Sequence, residues 1–240
     1  MQAVTGHRRG PQMLVDLLDD TYIPQNRTFV LLILHGRTER QSMKRSEPES
    51  GGRERPVMEA TLRIIGRKGL DGVTHRAVAA EAGLSLGAIT HHFKTRDALI
   101  DGALRFALAR ETGRLQALAL SLQGKAFDVE AWLESLVGWY DHELKTRAEI
   151  HIACYEAFLA AARSERYRTV VEEWFGVLRQ SAELALRAGG SAEPRRHAEL
   201  FVSALIGMLL QQLANPRRGF RREMAASLLA LIRSLIGARA

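Results

Sequence analysis

The fold is decided by residues 74–99, which read THRAVAAEAGLSLGAITHHFKTRDAL. The pattern predicts one helix, a tight turn, a second short helix and the start of a third. Ala79, Gly83 and Ile89 stand where a helix-turn-helix needs a small residue, a residue free to take positive φ and an apolar anchor. This spacing places the second helix where it can enter the major groove of DNA.

Two groups of residues around the second helix are candidates for contact with DNA. Its exposed early positions are small or apolar, which favours thymine-methyl, hydroxyl and shape readout over arginine–guanine pairs. They are Ser85, Leu86, Gly87, Ala88 and Thr90. The flanking polar residues can bond phosphates; they are His75, Arg76, His91, His92, Lys94 and Thr95. A glycine turn between two helices also occurs in proteins that bind no DNA, so the pattern alone leaves that alternative open.

From Pro56 onward the sequence is helical by pattern. Apolar residues recur at helical spacing, no segment alternates as a strand would, and Pro56 is predicted to open the first helix. Further helices are predicted over residues 96–122, 128–145, 147–162, 165–188, 195–214 and 220–237. The predicted fold class is therefore all-α, with a small basic N-terminal three-helix unit and a larger helical C-terminal domain.

Residues 1–52 differ from the rest because they show no sustained period. The segment 42–55 is rich in charge, Ser, Pro and Gly, which is typical of disordered chain. We expect a poorly ordered extension over 1–52, a DNA-binding domain over 53–100 and a helical domain over 101–240. Met43 leaves two alternatives open. Residues 1–42 are either an overextended reading of the gene or a genuine extension with a small helix at 12–20.

Composition and charge favour a soluble protein with a polyanionic partner over a membrane protein. The 240-residue chain is 46% hydrophobic and 25% charged, which suits a soluble protein with a core. Its net charge is +7, and residues 53–110 carry ten Lys/Arg against six Asp/Glu, a local excess that favours a polyanionic partner such as DNA. The longest apolar run, residues 29–34, is far shorter than the roughly 20 residues of a membrane span. We expect a cytoplasmic protein with no membrane partner.

The sequence lacks the signatures of enzymes and metal sites. It contains no nucleophile elbow, glycine-rich phosphate loop or HExxH motif. Adjacent His91 and His92 point apart on a helix, and the single Cys154 allows neither an internal disulfide nor a cysteine-based zinc site. His151 and Cys154 share a helix face, as in a soft-metal or thiol sensor, but a buried cysteine beside a pocket residue is the reading we favour. We expect no enzyme activity, metal or cofactor.

Residues 56–106 resemble the TetR family of one-component transcriptional regulators. The resemblance rests on VAAEAG, GLSLGAITHHF and KTRDAL, compared with the family pattern G-V-S-x-G-x-L-Y-x-H-F-x-s-K-e-x-L. The matching positions are Gly83, Ser85, Gly87, His92, Phe93 and Leu99. The chain departs from the family at Thr90, where Tyr is common, at Leu86, where Lys is common, and at Arg96, where Lys is frequent. Beyond this segment only the helical layout is similar.

The resemblance implies a homodimeric repressor that a small, mostly apolar effector releases from a palindromic operator. The alternative is a helical ligand-binding or interaction protein of the same fold that has lost specific operator binding. The resemblance implies DNA-backbone contacts from Thr74, Ser85, Thr90, His92 and Lys94. It implies base-facing positions for Leu86, Gly87, Ala88 and His91, and Arg76 is added as a flanking phosphate ligand.

The resemblance also implies roles for the C-terminal domain. Its middle helices would enclose the effector, with candidate lining residues Trp132, Tyr140, His151, Tyr155, Phe158, Trp174, Met208 and Gln211. The last two helices would form the dimer interface, with candidates Phe201, Leu205, Met208, Leu228, Leu231 and Leu235. Aromatic and apolar stripes also build ordinary cores, so the core alternative stays open for both sets. The pivot between the two functions would be the helix that begins near Thr95, over residues 95–108.

Overall fold

The computed structural model describes residues 51–121 and 127–237, without the side chains of residues 51–53, 116 and 119–121. The helix predicted over 12–20 and the alternative start at Met43 lie outside these residues. The described part is helical and contains no strand, which confirms the all-α prediction. Its helices are α1 (Gly51–Lys68), α2 (His75–Ala82), α3 (Leu86–His92), α4 (Arg96–Ser121), α5 (Val129–Thr146), α6 (Ala148–Ala161), α7 (Glu165–Ala188), α8 (Pro194–Ala214) and α9 (Phe220–Gly237). A 3-10 turn, Leu70–Gly72, separates α1 from α2.

The start of the first helix differs from its prediction. The helix begins at Gly51, so Pro56 lies inside it instead of at its first position. A proline this close to a helix N-terminus removes only one intrahelical hydrogen bond, and Glu54 in the first turn favours the positive end of the helix dipole. The buried residues that follow, Val57 and Met58, then anchor the helix in the core.

The helix-turn-helix is built from α2 and α3. Gly83 has φ 66° and ψ 30°, the left-handed conformation that a residue without Cβ adopts at no steric cost. The Leu84 amide returns to the Ala79 carbonyl at 3.0 Å and closes the end of α2. Val78 and Ile89 are buried on the inner faces of the two helices, and α2 packs on α1 and α3. The predicted turn and anchor positions are therefore the observed ones.

The long helix α4 leads from the three-helix unit into the C-terminal helices. It runs without a break across residue 100, the predicted domain boundary. In the C-terminal part α5 packs on α9, and α7 packs on α6 and α8. Leu186, Phe201, Met224, Leu228 and Ile232 are almost fully buried at the centre of this packing.

Helix α1 lies directly on the beginning of α6. A Cβ added at Gly66 would lie 2.1 Å from the backbone oxygen of Glu149, so the two backbones touch at this point. A second connection runs from α7 to α4, where Arg166 pairs with Asp97 and with Asp101, the latter at 2.7 Å. The sequence pointed to α4 alone as the link between DNA-binding and C-terminal helices. The structure adds the contact of α1 with α6.

Four of the six predicted dimer-interface residues belong to the core of the chain itself. Phe201, Leu205 and Leu228 are 1–2% exposed and Leu235 is 8% exposed, so they have almost no surface left for a partner. These four side chains lie on the inward-facing stripes of α8 and α9, because the same helical period can form an inward stripe or an outward one. Met208 and Leu231 are half-buried. The large apolar side chains that α8 exposes are Leu200 and Leu210.

Helix α8 is apolar well beyond its buried face. By length and a mean hydropathy of 1.3 it could cross a membrane, and 28% of that window is buried. Its buried side packs in the same core as α9 through Phe201 and Leu205. Core helices of soluble proteins meet the same length and hydropathy criteria, so α8 by itself does not indicate a membrane protein.

Candidate DNA-binding surface and effector cluster

The predicted DNA-contacting residues lie on one continuous part of the chain, from the start of α2 to the end of α3. All of them are exposed except Ala88, which is half-buried. The exposed ones are Thr74, Arg76, Ser85, Leu86, Gly87, Thr90, His91, His92 and Lys94. Within the described residues neither Arg76 nor Lys94 forms an ion pair, so both cations are free to meet phosphates.

Thr74 and Ser85 are the N-caps of α2 and α3. The Thr74 hydroxyl oxygen accepts the Ala77 amide at 3.1 Å, and the Ser85 hydroxyl oxygen accepts the Ala88 amide at 3.2 Å. Because each oxygen acts here as an acceptor, its own hydrogen remains available to donate. Both residues can therefore cap a helix and bond a phosphate at the same time.

Thr90 is arranged differently. Its hydroxyl donates to the carbonyls of Leu86 at 3.1 Å and Gly87 at 3.3 Å, both in the preceding turn of α3. The hydroxyl hydrogen is already used inside the helix. A phosphate bond from Thr90 therefore requires the side chain to give up this internal bond.

Two side chains brace the helix-turn-helix, one at the loop before α2 and one at the end of α3. The Arg96 guanidinium donates to the Val73 carbonyl at 3.0 Å and to the Leu70 carbonyl at 2.7 Å, and so ties the start of α4 to the loop before α2. His75 Nε2 donates to the Phe93 carbonyl at 2.7 Å. This bond removes Nε2 of His75 from the predicted phosphate ligands. It also gives Arg96, where the family often has Lys, a structural role that the sequence did not reveal.

Helix α2 is held to α1 by a three-residue ion cluster. Glu81 accepts from Arg63 at 2.8 Å and pairs with Arg67 at 2.5 Å. The hydrogen bonds from Arg63 and then Arg67 lower the pKa of Glu81. The carboxylate therefore stays ionised and keeps the two arginines on the α1–α2 contact.

The C-terminal helices hold a buried charged cluster on α4 and α5. Arg114 donates to Glu111 through Nη2 at 2.6 Å and Nε at 3.3 Å, and the Tyr140 hydroxyl donates to the same carboxylate at 3.0 Å. The Arg114 Cζ atom lies 4.1 Å from the ring centroid of Trp139 and 5.3 Å from that of Tyr140. The guanidinium thus has a carboxylate at its edge and aromatic rings at its face.

A second ion pair and a histidine adjoin this cluster. Arg110 Nη2 donates to both carboxylate oxygens of Glu143, at 3.0 and 2.9 Å. The His151 ring centroid is 6.0 Å from that of Trp139 and 5.9 Å from that of Tyr140. Its Nε2 atom is buried and has no hydrogen-bond partner among the described residues. Burial lowers the pKa of His151, which keeps the ring neutral near pH 7.

The remaining predicted pocket residues fall into separate groups. Tyr155, Phe158, Trp174 and Phe175 form an aromatic cluster of α6 and α7, with centroid separations of 4.9–6.3 Å. The Tyr155 hydroxyl donates to the Ile206 carbonyl of α8 at 2.7 Å. Trp132 instead packs on Phe201 in the core. Met208 is half-buried and Gln211 is exposed on α8.

The charged members of the cluster were not among the residues predicted from the sequence. A signal was present, because Glu111 interrupts the stripe formed by Leu104, Leu108 and Leu115 on α4, all of which are buried. Glu143 likewise follows Leu136 and Tyr140 on the buried face of α5. A carboxylate at a core position of an amphipathic helix marks a buried polar site that requires partners.

The thiol-sensor alternative finds little support in the environment of Cys154. The thiol is buried and donates to the Ile150 carbonyl of its own helix at 3.1 Å. Burial raises the pKa of this thiol, so it stays protonated and unreactive. No group of three His, Cys, Asp or Glu within the described ranges could hold a metal ion.

A cavity of about 360 Å³ lies in the three-helix unit, which no sequence signal predicted. It opens between the start of α1, the end of α3 and the early part of α4. Its lining residues are Glu54, Arg55, Met58, His92, Phe93, Gly102 and Phe106. The cavity contains none of the predicted effector-lining residues.

Comparison with known proteins explains this combination of elements. The family model described as bacterial regulatory proteins of the tetR family matches residues 57–103, and the model of a tetracyclin repressor-like C-terminal domain matches residues 127–238. A solved TetR-family structure from Streptomyces coelicolor A3 is 31% identical, with a TM-score of 0.58 over 77% of this chain and 98% of that one. The chain belongs to the TetR family.

Two further relatives extend the comparison of this TetR-family regulator. The HTH-type transcriptional regulator PksA of Bacillus subtilis is 40% identical over 68 residues, which are 28% of this chain and 33% of PksA. The chain thus spans about a third of the length of this curated relative. The multidrug binding protein EbrR, solved in complex with ethidium, is 28% identical, with a TM-score of 0.55 over 75% of this chain and 98% of EbrR.

Family membership fixes the functional class. The matched N-terminal segment contains the capped helices, the Gly83 turn and the start of α4. The TetR-family chain is therefore a DNA-binding transcriptional regulator and not an enzyme.

Proposed function

We propose that this regulator is a homodimeric repressor that leaves a palindromic operator when a small effector binds among its C-terminal helices. The observation that carries the proposal is the rigidly capped α2–turn–α3 unit with its predicted DNA contacts exposed. A single short recognition helix discriminates weakly, whereas a two-fold pair reads two half-sites about one helical turn apart. A cytoplasmic location follows from this role.

Genomic footprinting with the purified full chain at two salt concentrations tests the proposal. A repressor protects discrete palindromic sites whose occupancy falls steeply with salt, because phosphate contacts release counterions. Diffuse protection without a palindrome would instead favour the alternative, a helical ligand-binding or interaction protein that has lost operator reading.

The DNA contacts divide by chemistry. Lys94, Arg76, His92 and the hydroxyls of Thr74 and Ser85 are the proposed backbone ligands, since they are exposed and carry donors. Leu86, Gly87, Ala88 and His91 are the proposed base-facing positions. Thr90 makes a weaker contribution than the family pattern implies, because its hydroxyl is bonded to the preceding turn of α3.

Lys94→Ala is expected to weaken binding to all DNA sequences and to reduce the slope of log affinity against log salt by about 1. The side chain is exposed and supplies one phosphate contact in this proposal. Fluorescence anisotropy with a specific and an unrelated duplex at several salt concentrations measures both effects. Lys145→Ala, an exposed lysine on α5, is the matched control. An unchanged salt slope for Lys94→Ala would exclude this residue as a phosphate ligand.

The proposed dimer interface uses the outer faces of α8 and α9. On α8 this face presents Leu200, Ser203, Leu210 and Ala214. On α9 it presents the small residues Ala226, Ser227, Ala230 and Ser234. Small residues allow helices to approach closely, and the exposed leucines supply apolar area, which suits a four-helix bundle formed with a second copy.

Leu210→Glu is expected to convert the dimer to a folded monomer, because it would place a charge in the apolar interface of two copies. Light scattering gives the mass, and circular dichroism checks that the helices persist. Leu159→Glu is the matched control, because Leu159 is also an exposed leucine and lies on α6. A dimer that survives Leu210→Glu would move the interface elsewhere. Glutamates at Leu205 or Leu228 would not test the interface, since both residues are core.

Repression and release are coupled through the helices that join the two functions. An effector that binds better to a form with mis-spaced recognition helices weakens DNA binding, and DNA weakens effector binding by the same factor. The contact of α1 with α6 and the length of α4 are the physical connections available for this coupling. The small-molecule complex of the relative EbrR supports a small-molecule effector here.

A further inference from the structure

The Arg114 guanidinium occupies a site with the chemistry of a receptor for organic cations. Glu111 contacts one edge of the guanidinium at 2.6 Å, and the Trp139 ring lies 4.1 Å from its Cζ atom. Tyr140 adds a second ring at 5.3 Å and orients Glu111 through its hydroxyl. Aromatic faces combined with a carboxylate are how proteins recognise guanidinium and quaternary ammonium groups.

In both ion pairs of the cluster the arginine is more exposed than the carboxylate. The side chains of Glu111 and Glu143 are 5% and 7% exposed, whereas those of Arg114 and Arg110 are 12% and 28% exposed. The carboxylates are thus the more deeply buried partners, Arg110 reaches toward the solvent, and Arg114 is almost buried with only a small part of its side chain exposed. Withdrawal of an arginine leaves a buried negative charge, which a cation stabilises and an anion does not.

His151 supplies a further polar group that the protein itself does not use. Its Nε2 is buried without a partner, and its ring lies about 6 Å from both aromatic rings of the cluster. Buried polar atoms without a hydrogen bond are rare and costly in native proteins. A bound molecule that carries a polar atom beside its cationic group would satisfy Nε2.

We propose that the effector is an organic cation of delocalised charge that displaces Arg114 from Trp139 and Glu111 and bonds His151 Nε2. Arg114 acts as a built-in competitor that closes the site when the effector is absent. The inference rests on the proposed function, since it names the class of effector and the residues that receive it. A guanidinium-like ion suits the site because its weak hydration lowers the cost of burial.

Phenylguanidinium and its neutral isostere phenylurea form the probe pair. Isothermal titration of each into the full chain measures the selectivity for charge. We expect phenylguanidinium to bind at least about tenfold more tightly than phenylurea, because only the cation replaces the Arg114 interactions. Equal affinities for the two compounds would overturn the proposal.

Two variants separate a receptor from a purely structural ion pair. Glu111→Gln keeps the shape and removes the charge, and should weaken phenylguanidinium binding by about tenfold. Arg114→Gln removes the competitor and should strengthen phenylguanidinium binding by about tenfold. Arg105→Gln is the control, because Arg105 also lies on α4 but pairs with the exposed Glu173. An Arg114→Gln protein that folds but gains no affinity would show that Arg114 is structural only, and an unchanged affinity in Glu111→Gln would also overturn the proposal.

Operator binding measured on the same samples distinguishes this inference from the proposed function. If phenylguanidinium binds selectively but does not alter operator affinity, the cation-binding site would be supported. Its role as the effector site would be contradicted. If the chain binds a palindromic operator but binds phenylguanidinium no more tightly than phenylurea, the proposed repressor function would stand and the cation site would be overturned.

Discussion

Gly66→Ala is expected to lower the free energy of unfolding by about 3 kcal/mol, at the upper end of the range for overpacked positions. The added Cβ would lie 2.1 Å from the Glu149 oxygen, 2.7 Å from its carbonyl carbon and 2.8 Å from its Cα. All three are backbone atoms at the start of α6, so no side chain can rotate away to relieve the clash. Urea unfolding followed by circular dichroism measures the loss.

Gly176→Ala is the matched control for this substitution. Gly176 also lies within a helix, α7, and apart from the adjoining backbone of that helix no atom stands within 4 Å of an added Cβ. Alanine there should stabilise the protein by about 0.5–1 kcal/mol, because it restricts the unfolded chain and favours the helix. If Gly66→Ala proved neutral or stabilising like the control, the close contact of α1 with α6 would not exist in solution.

Glu143→Ala is expected to cost about 3 kcal/mol or more, because it removes one partner of a buried ion pair. Glu143 accepts two hydrogen bonds from Arg110, and its side chain is 7% exposed. The substitution leaves the Arg110 guanidinium partly buried with no carboxylate to balance it. Chemical denaturation gives the change in stability.

Asp141→Ala tests whether burial of the ion pair causes the loss of stability expected for Glu143→Ala. Asp141 lies two residues earlier on α5 and pairs with Lys145 at 2.7 Å, but the lysine side chain is 70% exposed. Such a pair contributes less than about 1 kcal/mol. If Asp141→Ala and Glu143→Ala lowered the free energy of unfolding equally, the Arg110–Glu143 pair would be as solvated as a surface ion pair.

The fold was predictable where local sequence decides it. The caps Thr74 and Ser85 and the turn at Gly83 depend on a few neighbouring residues, so their positions follow from the sequence alone. The start of α1 did not follow from the sequence, because a proline is compatible with both the first and the sixth position of a helix. The choice between them depends on whether the preceding turn is helical, which Pro56 itself does not determine.

The core residues and the buried charged cluster around Glu111 could be assigned only from the tertiary structure. Leu205 and Leu210 are both apolar and lie on one helix, yet one is core and the other is exposed, because neighbouring helices decide which stripe faces inward. The cluster around Glu111 combines α4, α5 and α6, and no sequence spacing reports that three helices meet. The assignments of individual residues to DNA, effector and partner stay predictions.

The hydrogen bonds of Arg96 and His75 hold the helix-turn-helix together as one rigid body. Arg96 holds the loop before α2, and His75 holds the end of α3, so the recognition helix has little freedom of its own. In the proposed mechanism, a signal from the C-terminal helices would move the helix-turn-helix as a whole and leave its proposed base-facing residues in place. The free and the effector-bound regulator should consequently bind the same half-site base sequence. They should differ in the spacing, in base pairs, that they prefer between the two half-sites.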